Sequence, residues 1–464
     1  MNILILGAGH IGSALAKSLS VSIHNITVID LDKKKLNTLL DKLDIGTVQG
    51  SASVPSILEK ANIEEVDMLI AVTDSDETNM VACQISYTLY SIPIKIARIK
   101  NNSILKIKDK LFKPFQDDEI IGGFFIDYII SPENMITNKI CDLIDYPGVI
   151  QFCPFPNDIV MVSVIAYYGG ALVGSSIEQL YKHLAYITLG VVILYRNNIA
   201  IKPLPSTVIE AGDEVFFTTH KEHIHLVQKE LQPVDKKYKN ILIVGGGEIG
   251  YRLGMALEKE YQVKLIESDE KRALFLANAL QDTLIFQGNI VSNETLEACN
   301  MSKIDLFIAT TKDDKTNMIA CMLAKNYGVE HTMSVLYTME YHNKMFNDCI
   351  DIVLKPDEIT VLSVLAKIRQ CDISCIYFLH NKSSEVMVVA PHGDHNKSLV
   401  IGKPVAEIKL PQGVSIHAII RESHFMLSTK DIIIESGDYV ILVILNNKYL
   451  QDIEKLFKTE MTFI

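Results

Sequence analysis

A six-residue glycine phrase occurs twice in this chain of 464 residues, as Gly7-Ala8-Gly9-His10-Ile11-Gly12 and as Gly245-Gly246-Gly247-Glu248-Ile249-Gly250. Each copy follows a short apolar run, Ile3–Leu6 or Ile241–Val244, and each opens a helical pattern. In that setting G-x-G-x-x-G is the phosphate-binding turn of a dinucleotide fold. A pyrophosphate needs backbone N–H groups at close range and the positive end of a helix. Gly7 and Gly245 permit the tight turn, Gly9 and Gly247 remove a side chain that would block the phosphate, and Gly12 and Gly250 let helix pack on strand. One copy would constrain a domain. Two in register constrain the whole chain, which reads as a tandem duplication with two nucleotide sites.

The register holds beyond the turns. Gly50 pairs with Gly288, Thr73 with Thr311, and Thr78–Cys83 returns as Thr316–Cys321 at the same separation. The repeat then shifts, with Pro132 matching Pro356, so the first half carries additional residues between Arg98 and Ser131. They are assigned to Phe115–Gly123, whose acidic residues and paired glycines read as a surface loop. Farther on, β-like runs such as Ile159–Ile165 and Glu214–Phe217 are broken by glycines, and Ile209–Val215 recurs as Ile434–Val440. The expected fold class is α/β, with two tandem Rossmann-like doubly wound nucleotide-binding domains, each followed by a small α+β domain. The expected domains are 1–123, 140–231, 239–358 and 372–458, with the polar, proline-marked Gln232–Lys239 linking the halves.

An acidic residue closing the second strand hydrogen-bonds ribose hydroxyls in such folds. Asp30 ends Ile26–Ile29 and Glu267 ends Val263–Ile266. A carboxylate there repels a 2′-phosphate, which favours NAD over NADP and leaves ADP and ATP open. Two further strand ends face the same crevice. Gln49–Ala52, with Ser51, matches Gln287–Ile290, with Asn289, and the glycine in each suits close approach of a base. Ala71–Asp74 matches Ala309–Lys312, which places Thr73 and Thr311 near the ligand; Asp74 is expected to cap the next helix, with Glu77 closing a capping box. Arg98 could reach a phosphate or be a surface cation beside the sheet. Its counterpart is Leu336, and Asp74 faces Lys312, so two sites of different affinity or ligand preference are expected.

Bulk composition excludes several classes. Hydrophobic content of 48% with 22% charged residues is globular, and the net charge of −12, without a basic block, makes nucleic acid a poor partner. No apolar run approaches the ~18–20 residues of a membrane span. The eight cysteines form no Cys-x-x-Cys pattern, and the chain opens on a strand rather than a signal peptide, so cytoplasmic free thiols are expected. His220, His223 and His225 cannot share one helical face and read as a solvated helix start rather than a metal site. The small domains offer no convincing acid/base pair, which ranks an NAD-dependent oxidoreductase below a ligand-sensing role. A DNA-binding regulator, which would need a basic recognition helix, ranks lower still.

These motifs together resemble the regulatory (TrkA) subunits of bacterial Trk potassium-uptake systems. The residues that carry the resemblance are Met1–Gly9, Val72–Cys83, Ala166–Gly170, Glu210–Phe217, Ile241–Gly247 and Val263–Glu267, and it covers essentially the whole chain. It implies a non-enzymatic cytoplasmic protein on the inner face of the inner membrane. Such a protein docks on a membrane-embedded K⁺ transport subunit of the TrkH or TrkG type and controls it by binding nucleotide. It further implies that the nucleotide domains, called RCK or KTN domains, pair and assemble into a homo-oligomeric ring. By motif match the ligand contacts, for NAD or NADH and for ATP or ADP, are the Gly7–Ile11 turn, Asp30, Thr73, Asp74 and Arg98, then the Gly245–Ile249 turn and Glu267. The Phe115–Gly123 stretch is longer than the family's usual connection.

Overall fold

The computed structural model describes all residues except 21–23, 114–122, 234–236, 338–348, 369–371, 380–383, 394–397, 446–448 and 459–464. Within the described residues the chain forms two compact units. One unit contains residues 1–138 and 240–361, and the other residues 139–239 and 362–464.

In the first unit, the amino-terminal Rossmann domain begins with β1 (Asn2–Leu6), α1 (His10–Ser20), β2 (Asn25–Asp30) and α2 (Lys33–Leu40). It continues with β3 (Gly46–Gln49), α3 (Pro55–Lys60), β4 (Met68–Ala71), α4 (Asp76–Tyr90) and β5 (Ile94–Arg98). The strands are parallel, and with Tyr128–Ile130 they give the order β3-β2-β1-β4-β5-(128–130). Helices cover both faces of such a sheet, so its central strands are continuous apolar runs: Ile3–Leu6 and Met68–Ala71 are fully buried. The order in which strands are added reverses at β1, which pairs with β2 on one side and β4 on the other. The switch point opens a crevice at the carboxyl ends of the strands, where doubly wound sheets hold ligands.

The second Rossmann domain repeats this plan. Its strands Asn240–Val244, Gln262–Glu267, Leu284–Gln287, Leu306–Ala309, His331–Val335 and Ile352–Leu354 have the same parallel order. In the first domain, Asn102–Leu105 and Lys108–Leu111 form short helices, and Phe112–Lys113 pairs with Phe124–Phe125. Residues 115–122 of the additional stretch lie outside the described residues. The approach to the last strand is tied down by a carboxylate in both domains. Asp127 accepts from the Lys95 amide at 2.7 Å and pairs with the buried Lys95 Nζ at 2.9 Å, while Asp351 accepts from the Thr332 amide at 2.7 Å.

The second unit holds the two small domains, each a five-stranded antiparallel sheet. The strands of one run Val149–Pro154, Ile159–Ile165, Glu214–His220, Leu189–Arg196, Ile199–Ile201 across the sheet. The other has the matching order Ile373–Leu379, Ser384–Val389, Tyr439–Ile444, Val414–Arg421, His424–Leu427. Side chains from both sheets enter one hydrophobic cluster, including Met161, Phe216, Val388 and Ile441. At its edge His417 Nε2 and Thr218 Oγ1 share a 2.7 Å hydrogen bond. The recurring Glu-x-Gly-Asp phrase makes the same staple in each domain: Asp213 takes the Arg196 guanidinium and the Glu210 amide, and Asp438 takes Arg421 and the Glu435 amide.

Candidate functional site

Both glycine phrases form the expected strand–turn–helix. Gly7 and Gly245 have φ of +107° and +99°, a region that favours glycine, and their amides donate to Ile29 O and Ile266 O. A Cβ added at Gly12 or Gly250 would lie 1.8 or 1.9 Å from the carbonyl oxygen of Gly7 or Gly245. The third glycine therefore seats the helix on the turn itself, more tightly than on the strand. At Gly9 and Gly247 an added Cβ would meet nothing within 4 Å. The middle glycine thus keeps open a space that the protein does not fill. Ala8, Ile11 and Ile249 are buried beneath the turns, and Gly246 lies against Leu276 and Glu267.

The strand-end carboxylates brace these turns. Asp30 accepts from the Ala8 amide at 2.6 Å with one oxygen and from the Asp32 amide at 2.8 Å with the other. Glu267 does the same for Gly246, at 2.7 Å, and Asp269, at 2.9 Å. A carboxylate oxygen accepts more than one bond, so each retains capacity toward a ribose hydroxyl at the crevice. Ser51 shares a 3.1 Å bond with Ser53, and Asn289 accepts from the Val291 amide at 3.1 Å, each shaping the turn after its strand. The adjacent glycines also have a packing role. The space a side chain would take at Gly50 belongs to Ile57, 2.6 Å away, and at Gly288 to Thr295 Oγ1 at 2.5 Å. Packing of the following helix by itself requires glycine there.

The fourth and fifth strand ends are locked together by a residue the sequence showed only as a repeat identity. Asn79 is fully buried; its Oδ1 accepts from the Thr73 amide (3.0 Å) and hydroxyl (2.7 Å), and its Nδ2 donates to Thr73 O (3.2 Å) and Arg98 O (2.9 Å). Asn317 makes the same four bonds to Thr311 and Val335. Asp76, also buried, accepts from the Lys100 and Asn101 amides, as Asp314 does from that of Tyr337. The cap of α4 is Ser75, which accepts from the Thr78 amide and donates to Glu77, and not Asp74. In a run of three consecutive capping residues, the hydrogen bond falls one position later than expected. Asp74 is free to point outward: its side chain is 90% exposed, 3.6 Å from Arg98 and 3.7 Å from Lys100 Nζ.

Arg98 is not a surface cation. Its side chain is only 14% exposed and pairs with Glu133 at 2.7 Å. In the second domain the strand register places the buried Val335 at this position, one residue before the Leu336 that the repeat spacing gave, with Lys312 on the exposed loop. That domain also has a cation that the motif reading did not assign: Arg272 donates to Gly246 O at 2.6 Å and lies 4.7 Å from the Phe275 ring centroid. The two crevices therefore present different charge.

The glycine turns also face the opposite Rossmann domain. The His10 ring lies 5.8 Å from that of Tyr337, whose hydroxyl is pushed up to about 12 by burial and then by the Glu133 carboxylate. Glu248 pairs with Arg252 at 3.0 Å, and Arg252 reaches Lys100 O in the first domain at 2.6 Å. Among the described residues no group of three or more His, Cys, Asp or Glu is placed to hold a metal ion. His220 ends a strand and packs edge-on to His223, at 5.9 Å between centroids, before the helix Ile224–Leu231. Burial pushes the thiols of Cys83, Cys153 and Cys321 up to about 12, well out of the reactive range.

With this geometry in hand, comparison with known proteins is decisive. The TrkA-N domain family matches residues 3–121 and 241–356, and the TrkA-C domain family matches 161–232 and 395–458. The Trk system potassium uptake proteins TrkA of Vibrio alginolyticus and Haemophilus influenzae are each 38% identical over 100% of both chains. The chain belongs to the TrkA family of potassium-uptake proteins. The fold of this TrkA-family chain is shared with solved structures at low sequence identity. The GsuK RCK domain has a TM-score of 0.62 at 17% identity, covering 98% of this chain and 94% of its own. The GsuK channel bound to NAD has a TM-score of 0.61 at 16% identity, covering 98% and 78%. Among the described residues no helix is long and apolar enough to cross a membrane.

Proposed function

We propose that this chain is the nucleotide-binding regulatory subunit of a Trk-type potassium-uptake system. On this reading it gates a membrane-embedded K⁺-translocating subunit, of the TrkH or TrkG type, from the cytoplasmic face of the inner membrane, as a homo-oligomeric ring. NAD or NADH, and ADP or ATP, are the ligands. The observation that carries the reading is the pair of glycine turns whose middle glycines point into open space beside a strand-end carboxylate. The turn amides and helix end would hold the pyrophosphate, and Asp30 and Glu267 the ribose hydroxyls. Arg98, Thr73 and Asp74 line the first crevice, and Thr311 and Arg272 the second. The full-length likeness to proteins named for potassium uptake, and the fold shared with a channel solved with NAD, support it.

A ligand shifts a conformational equilibrium only through unequal affinity for the two states, typically a coupling of ~1–3 kcal/mol. Paired Rossmann domains in contact at their glycine turns are suited to this, since a ligand on either turn lies beside the other domain. The test is calorimetric titration of wild type, Gly9→Val and Gly247→Val with NADH, NAD⁺, ADP and ATP. Each valine enters space the fold leaves empty, so each variant should fold and lose one site while keeping the other. Wild-type stoichiometry and affinity in both variants would refute the site assignment, and turnover of NADH with candidate substrates would favour an oxidoreductase.

A further inference from the structure

One buried cation joins the second glycine turn to the first site. Arg252 lies one helical turn beyond Glu248 on the helix Glu248–Leu257 and is 4% exposed. Its Nε and Nη2 lie 3.1 and 3.0 Å from Glu248 Oε1. Its Nη2 also donates to Lys100 O at 2.6 Å, and its Nη1 donates to Asn134 Oδ1. Both of these acceptors belong to the first Rossmann domain, and both sit beside groups that build its crevice. Asn134 adjoins Glu133, the partner of Arg98. The Lys100 amide is held by Asp76, and its Nζ donates to Asp74 O. The repeat places Ala14 at the position equivalent to Arg252, a side chain that can donate nothing. This hydrogen-bonded link therefore runs from the second turn to the first crevice, while the first turn meets the second domain through the His10–Tyr337 ring contact instead.

We propose that Arg252 couples the two nucleotide sites, so that an anion bound on the Gly245–Gly250 turn loosens the first site. The inference rests on the reading that both turns take nucleotide. Glu248 is the first residue of the helix that receives the phosphates, so a bound diphosphate brings like charge beside its carboxylate. The guanidinium, which recognises phosphate and carboxylate alike, is drawn toward that added charge and away from Lys100 O and Asn134. Losing that donor frees the Lys100 segment that Asp76 and Asp74 hold. Linkage requires the effect to be reciprocal: each ligand weakens the other by the same factor.

The first-site affinity for ADP is measured in wild type with the second site saturated, and in Gly247→Val, where that site is blocked. Wild type should bind ADP at the first site at least about 5-fold more weakly, and adding Arg252→Met should bring the ratio to within about two-fold of one. Glu248→Gln should reduce the ratio too, while leaving Arg252 bonded to the first domain, so the test survives if Arg252→Met misfolds. Hydrogen exchange of the Lys100 and Asn101 amides supplies a direct reading. In Gly9→Val, where only the second site can fill, ADP or NADH should speed their exchange, and Arg252→Met should abolish the response. A ratio of one in wild type, a ratio of opposite sense, or a ratio unchanged by both Arg252→Met and Glu248→Gln overturns the coupling. Binding by Gly9→Val without any amide response overturns it alone, and failure of Gly9→Val to bind either nucleotide overturns the second-site reading with it.

Discussion

Asn79→Ala should weaken the first Rossmann domain severely without unfolding it. The side chain is fully buried and makes four hydrogen bonds, at 2.7, 2.9, 3.0 and 3.2 Å, between the ends of β4 and β5. At roughly 1 kcal/mol net per bond, with water reaching some of the part-buried partners, the loss is about 3–4 kcal/mol. A typical domain has about 5–15 kcal/mol in hand, so the variant remains folded. With a urea dependence of about 1–3 kcal/mol per M, the midpoint of the first domain should fall by about 1–4 M. Its nucleotide affinity should fall as well, because Thr73 and the backbone at Arg98 lose their common anchor. Asn317→Ala removes the same four bonds in the second domain and should cost the same. Asn79→Asp should be at least as damaging as alanine, since it replaces two donors with an acceptor facing two carbonyl oxygens. Site-resolved hydrogen exchange through each domain would follow the losses separately. A loss below about 1 kcal/mol in either alanine variant would refute the claim that this side chain holds the two strand ends together.

Gly12→Ala and Gly250→Ala should each cost about 1–3 kcal/mol or more in thermal denaturation, because the new methyl meets a turn carbonyl. Gly9→Ala should leave stability unchanged and reduce nucleotide binding. Asp213→Ala removes two hydrogen bonds from Arg196 and one from the Glu210 amide, leaves Arg196 paired with Glu210, and should cost about 3 kcal/mol in urea unfolding of the small-domain unit. His417 predicts acid sensitivity. Burial lowers it from the usual 6.5 to about 4, so the unfolded chain takes up a proton that the folded chain refuses. Stability is therefore complete above pH 6.5 and is lost at up to about 1.4 kcal/mol per pH unit on the way down to 4. His417→Leu should flatten the dependence of the urea midpoint on pH between 7 and 5.

Much of the Rossmann architecture was legible because its determinants are local. A glycine turn between an apolar run and a helix, and an acidic residue closing the next strand, need no knowledge of the rest of the fold. The reading failed where a residue's neighbours come from elsewhere. The packing demand at Gly50 could not be seen, because Ile57, which fills the space of a side chain there, is brought in by the following helix. Arg98 could be placed on the surface because Glu133, its partner, is brought in by a helix far along the chain. Asp74 and Ser75 are both good caps, and only backbone geometry separates them. Asn79 and Asn317 were visible as identical residues, but their role depends on which strands lie side by side. Arg252 left no trace in the repeat at all, because its counterpart is Ala14 and, Glu248 apart, the groups it bonds belong to the other domain.

The division of the chain into units that cut across the duplication has a consequence for how the protein is made. Each unit is assembled from two separate segments of sequence, one from each half. A ribosome that has released the first half has thus supplied one Rossmann domain and one small sheet, each without the neighbour it will pack against. Met161 and Phe216 then await Val388 and Ile441 to complete their cluster. The linker around residues 232–239 is consequently not a seam along which the protein comes apart. Two polypeptides cut there and expressed together have every non-covalent contact needed to rejoin, whereas either one alone is an unfinished pair of surfaces.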